Sequence, residues 1–143
     1  MKLLQSGHFH AVLCAFAITL ALTSFAPPSV AQTDDAVFEL RTYTTREGRL
    51  PALHARFRDH TMSLFEKHGM RNIGYWTPKD KPNTLVYLIA HDSLEAAAAS
   101  WKAFVTDPEW QKVAADSQRD GQILVEGGIV SEFLDATDYS PIH

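Results

Sequence analysis

Residues 71–91 read RNIGYWTPKDKPNTLVYLIAH. Two runs rich in aromatic and aliphatic residues, Arg71 to Thr77 and Thr84 to His91, flank Pro78-Lys79-Asp80-Lys81-Pro82-Asn83. Proline presets a turn dihedral, and Asp and Asn bond their own backbone, so the segment predicts an antiparallel hairpin. Upstream, Val37 to Thr44 (VFELRTYT) reads as a strand. Its alternation sends Phe38 and Leu40 one way and Glu39, Arg41 and Tyr43 the other. Arg46-Glu47-Gly48-Arg49 turns the chain into a helix opened by Leu50-Pro51, where the missing proline N–H costs nothing. The helix runs to about His68 and stops at Gly69, which tolerates a left-handed backbone. At about 100° per residue, Leu50, Leu53, Phe57, Thr61, Leu64, Phe65 and His68 share one face, and Arg56, Asp59, Ser63 and Glu66 lie opposite.

Downstream of the hairpin, Asp92-Ser93-Leu94-Glu95 has the oxygen and carboxylate of a helix start. The helix that follows carries Ala97, Trp101, Phe104 and Val105 on its inner side. Asp107-Pro108-Glu109-Trp110 restarts a short helix, with Trp110, Val113, Ala114 and Ser117 inward and Gly121 at its end. Ile123 to Leu134 is the last strand, interrupted by Gly127-Gly128, a pair that predicts a bulge or a close backbone approach. From Val37 to Leu134 the order is therefore strand, helix, strand, strand, helix, strand. It describes an α+β fold: one antiparallel sheet with helices on one face. The uncovered face must find a partner or hold something.

The ends add a compartment. Lys2 and the uncharged apolar run Ala11 to Phe25, followed by Ser29-Val30-Ala31, predict a secretory signal at residues 1–31, too short to span a membrane comfortably. Cys14 sits inside that run behind bulky Leu13, which argues against a lipoprotein. Removal leaves 112 of 143 residues: a leader at 32–36, one domain at 37–135 and a tail at 136–143. The only cysteine departs with the signal, so the exported protein, periplasmic or secreted, has no disulfide and rests on packing and pairing. Twelve basic against seventeen acidic residues then remain, a charge of −5 with histidine neutral. No basic cluster stands out. Nucleic acid and anionic membranes are poor partners, and no stable membrane insertion is expected after cleavage.

Four motifs carry a resemblance: Glu39-Leu40-Arg41-Thr42-Tyr43, Glu66-Lys67-His68-Gly69, Gly74-Tyr75-Trp76-Thr77 and Asp107-Pro108-Glu109-Trp110. In this order and on these elements they resemble the NIPSNAP family, over about Val37 to Asp135. The resemblance implies a ferredoxin-like βαββαβ domain of the dimeric α+β barrel superfamily, in which two sheets meet across a two-fold axis. Relatives on that fold include cofactor-independent quinol-forming monooxygenases, muconolactone-isomerase-like enzymes and haem-binding members. The family itself has no settled biochemical activity, and fold kinship is a poor guide to chemistry.

The histidines His54, His60, His68 and His91 do not read as a metal site. A helical zinc site needs two at i and i+4, whereas His54 and His68, on one face, stand about 21 Å apart at 1.5 Å per residue. No metal and no cofactor is expected. His60 lies at the edge of the inner face between Phe57 and Leu64, where it suits a general base. The alternative is a packed boundary histidine satisfied by a carbonyl or water. Arg41 and Tyr43 could steady developing negative charge beside it, or Glu39, Arg41 and Tyr43 could form polar contacts across a dimer interface. His54, Tyr75 and Trp76 are the ligand-binding candidates, and Trp101 and Trp110 could extend an aromatic pocket or be plain core. No serine sits in a nucleophile elbow, and Gly127-Gly128 lacks the helix and lysine of a phosphate loop. Two functions stand side by side. One is a homodimeric module binding a small apolar or aromatic molecule. The other is a cofactor-independent monooxygenase or isomerase using His60, Arg41 and Tyr43 on a small aromatic or lactone-like substrate.

Overall fold

The computed structural model describes residues 36–142; the expected signal segment and nearly all of the expected leader lie outside the described residues. The elements follow the expected order: β1 (Val37–Thr45), α1 (Leu50–Arg56), a π-helical turn (Phe57–Thr61), α2 (Met62–Lys67), β2 (Arg71–Trp76), β3 (Thr84–His91), α3 (Leu94–Thr106), α4 (Pro108–Asp116) and β4 (Leu124–Asp135). The four strands form one antiparallel sheet in the order β2-β3-β1-β4. That is the ferredoxin-like arrangement, with the first and third strands central.

Strand alternation divides the sheet cleanly. Tyr43, Leu85, Tyr87 and Ile89 point to the helices and are buried with Leu53, Phe57, Phe65 and Phe104. Their rings meet edge to face: Phe57 lies 5.1 Å from Tyr87 and 5.9 Å from Tyr43, centre to centre. Such contacts add to the burial itself. The opposite face carries the rows Leu134–Phe38–Ala90 and Val130–Thr42–Val86–Trp76. Trp76, Val130 and Leu134 on it are exposed. Phe38 is buried although it points away from the helices, and the tail residues Ala136, Ser140 and Ile142 line a shallow hollow with it.

Helix ends match their residues. Ser93, one position beyond Asp92, caps α3 by accepting the Ala96 amide, and Asp107 caps α4 by accepting that of Glu109. Gly69 closes α2 at φ 78°. At the glycine pair Gly127 has φ 66°, and the β1–β4 register shifts between Tyr43 and Thr45. A Cβ on Gly128 would come 2.6 Å from the Thr44 carbonyl oxygen. Both the bulge and the close approach are present.

The first helix departs from a uniform α-helix. At Phe57–Thr61 it widens by about one residue, the Met62 amide reaching the Phe57 carbonyl and the Thr61 hydroxyl donating to the Arg56 carbonyl at 3.1 Å. One extra residue turns everything beyond it by up to about 100°. Thr61 and Phe65, already on the inner face, turn toward its middle, and His60 turns from its edge out to solvent. Arg56, expected opposite the core, is buried because α4 covers that flank of the helix. Val105, expected inside, is 51% exposed. Phe65→Ala should therefore cost about 4 kcal/mol in urea unfolding, and Val105→Ala less than about 0.5 kcal/mol. Equal losses would contradict this orientation of α3.

Candidate functional site

Glu39 is the most heavily bonded side chain in the domain. It is 1% exposed and points under α3. Its two oxygens accept four side-chain donors from four elements: Arg41 on β1 and Ser131 on β4 at Oε1, His91 on β3 at 2.9 Å and Trp101 on α3 at 2.7 Å at Oε2. Because the carboxylate only accepts, His91 Nε2 carries the proton, leaving its buried Nδ1 without a partner. Burial favours the neutral acid, but the bonds from His91, Ser131 and Trp101 and the charge of Arg41 outweigh it, and the pKa falls to about 2.

Arg41 also sits over the Trp101 ring, its guanidinium carbon 4.2 Å from the ring centre, and reaches the Tyr43 hydroxyl at 3.4 Å. Glu39, Arg41 and Tyr43 thus face the helices of their own chain and bond to one another. The expectation that they bridge a dimer interface does not match this placement. His60 does not join them. It is exposed and lines a groove with Asp59, Asp116 and Asp120.

The three ligand-binding candidates do converge. His54, Tyr75 and Trp76 line a cavity of about 230 Å³ at the free edge of β2, with Phe57, Arg58 and Leu85. Tyr75 stacks on Tyr87 with centres 5.4 Å apart and donates to Asn72, whose amide donates to the Met62 carbonyl and to Glu66. Burial, with help from Glu66, pushes the Tyr75 phenol well above its usual range, so it stays a neutral donor. Trp76 lies across Gly74, where a Cβ would come 2.5 Å from its ring. Glycine at 74 is what lets the indole fold over the strand.

A second cavity, about 480 Å³, opens on the β4 side between α1, α4 and the start of β4, lined by Tyr43, Arg46, Arg56, Trp110, Gln122 and Glu126, among others. At the corner between α2 and α4, Asp107 accepts from Lys67 at 2.8 Å and bonds His68 at 2.7 Å, which holds its carboxyl below the usual range. His68 is thereby a strut between helices. Among the described residues no group of three or more His, Cys, Asp or Glu is arranged to hold a metal, and no helix is long and apolar enough to cross a membrane.

The NIPSNAP family model matches residues 38–141. The chain belongs to the NIPSNAP family. Among solved structures, a NIPSNAP-like domain protein from Burkholderia xenovorans is 23% identical, with 76% of this chain and 90% of that one covered and a TM-score of 0.65. A NIPSNAP family protein of unknown function from Agrobacterium tumefaciens is also 23% identical, covering 78% and 96%, with a TM-score of 0.66. More distant is SnoaB from Streptomyces nogalater, a cofactor-independent oxygenase: 17% identity, 75% and 98% covered, TM-score 0.54. At these identities the likeness speaks for the fold alone. No match was found among proteins of curated function. Within this NIPSNAP domain sequence reasoning missed two things: the partners of Glu39, and Arg56 as a cavity residue. A charged residue three positions after Leu53, together with a later short helix that turns Trp110 and Ala114 inward, was the available signal for the second.

The Glu39 network generates a pH prediction. Its folded pKa of about 2 lies below the ordinary glutamate value of 4.5. The stabilisation is thus whole above pH 4.5 and drains away as pH falls toward 2. Glu39→Gln should lower stability at neutral pH by about 3 kcal/mol, since it leaves Arg41 buried without its counter-ion. It should also flatten the fall in melting temperature between pH 4.5 and 2; a fall as steep as the wild type's would assign the acid lability elsewhere.

Proposed function

We propose that this NIPSNAP protein is an exported homodimeric module that binds a small, largely apolar aromatic molecule. The observation that carries the reading is the cavity where His54, Tyr75 and Trp76 meet. Its aromatic walls suit a ring, its volume suits one ring with small substituents, and His54 and Arg58 offer donors at the lip. Tyr75 is held in one pose by Asn72, which limits the ordering cost of binding.

Pairing is supported by the sheet face that carries exposed Trp76, Val130 and Leu134. Apolar residues grouped on one face favour association. The edge strand β4 adds exposed Ile129 and Phe133 on its other side. Export rests on the apolar segment and small-residue site at residues 11–31. The alternative, a cofactor-independent oxygenase or isomerase, retains Arg41 and Tyr43 for charge but loses His60 as its base, because that ring lies outside the helix–sheet layer.

Hydroquinone and a simple unsaturated lactone serve as probes. Hydroquinone should change the Trp76 fluorescence below about 1 mM, a binding energy near 4 kcal/mol. The change should vanish in Tyr75→Ala and survive in His60→Ala. Silence of the wild type over that range removes the binding reading, and turnover of either probe that is lost in His60→Ala would revive the catalytic one. Protein recovered from the producing cell should begin at Gln32 and scatter light as a dimer at micromolar concentration. A monomer, or a retained N-terminus, contradicts the corresponding part of the proposal.

A further inference from the structure

Arg56 is 7% exposed, yet among the described residues no carboxylate pairs with it and no acceptor takes a hydrogen bond from it. Its Nε is buried without a partner, and its guanidinium carbon sits 5.3 Å from the centre of the Trp110 ring. A buried cation without a counter-ion is costly, and a group in that state calls for a functional or solvent partner. Arg41 and Arg49 also leave a buried Nε unpartnered, but their terminal nitrogens are engaged: Arg41 pairs with Glu39, and Arg49 donates to the carbonyls of Ser117 and Gly121.

Arg56 lines the β4-side cavity of about 480 Å³, and so does Arg46, which donates to Gln122 at 2.9 Å. Tyr43 and Trp110 supply aromatic wall, and Leu124 and Ile129 aliphatic wall. Glu126 is on the rim but pairs with neither arginine. On its other side Arg56 borders the groove of Asp59, Asp116 and Asp120, where Asp116 is already taken by Lys112 and Arg119. The cavity therefore joins a desolvated cation to a flat apolar wall.

We infer that this cavity is a second binding site, separate from the one at β2, for a small aromatic carboxylate. The carboxylate would take the two-pronged guanidinium bond that Arg56 leaves open, with Arg46 adding charge at the mouth. The ring would lie along Trp110 and Tyr43. Occupation would thus supply the counter-ion that the fold withholds.

The test uses the purified protein with sodium benzoate, benzamide as its uncharged counterpart and sodium hexanoate as a non-aromatic acid. Benzoate should raise the melting temperature and shift the Trp110 indole resonance, with benzamide and hexanoate weaker. Arg56→Met should weaken benzoate binding about tenfold or more. The same change should hold or raise the melting temperature of the free protein, because it removes an unpaired charge. Arg56→Lys keeps the charge without the planar fork and should bind between the two; it serves if Arg56→Met does not fold. Tyr75→Ala, which removes a wall of the β2-side cavity and none of this one, should leave benzoate binding unchanged, so this site and the proposed one stand or fall apart. Benzamide binding as tightly as benzoate, hexanoate matching it, or unchanged affinity in Arg56→Met or Arg56→Lys would each overturn the inference. So would a wild type that ignores benzoate.

Discussion

A carboxylate removed from water has to be surrounded by donors, and Glu39 meets that demand with one from each of β1, β3, β4 and α3. The requirement organises the domain around it. Sliding β4 by one residue would send Ser131 to the opposite sheet face and leave Oε1 a donor short. Moving α3 away would remove Trp101 from Oε2 and, with it, the ring on which Arg41 rests. The bond is directional where hydrophobic contact is not. It selects one docking of the helices from the many that the aromatic core would accept.

With the middle of the layer filled by Phe57, Phe65, Tyr87 and Phe104, open volume is displaced to its two flanks. One cavity falls beside β2 and the other between α4 and β4. They differ in chemistry because different helices wall them. The β2 side meets the His54 and Arg58 stripe of α1 and the π turn, with an aromatic floor. The β4 side meets Arg56 and the Trp110 ring of α4, a short helix held at its start by Asp107, Lys67 and His68.

Local signals carried most of the fold into the sequence. The Pro-rich connector at 78–83, Gly69, the Asp107-Pro108 start and the Gly127-Gly128 pair each act within a few residues, and each does in the structure what its chemistry suggests. The convergence of Tyr75 and Trp76 with His54 followed from their places on neighbouring elements. What escaped was set by distance along the chain. Glu39 finds His91, Trp101 and Ser131 at separations of 52, 62 and 92 residues, and nothing local announces those partners. Arg56 looked like a solvent residue because a helical wheel knows one buried face and α4 provides another. His60 was misjudged because a wheel drawn at a constant pitch cannot anticipate a widened turn.

That widened turn bears on how chain length could vary among relatives. A gap of one position within Phe57–Thr61 would restore an ordinary pitch and look harmless in an alignment. The extra residue and the widened turn would leave together, so Thr61 and Phe65 would keep the interior and the imidazole its aqueous setting. A homologue one residue shorter at this turn would thus present the same interior, the loss being absorbed where it occurs.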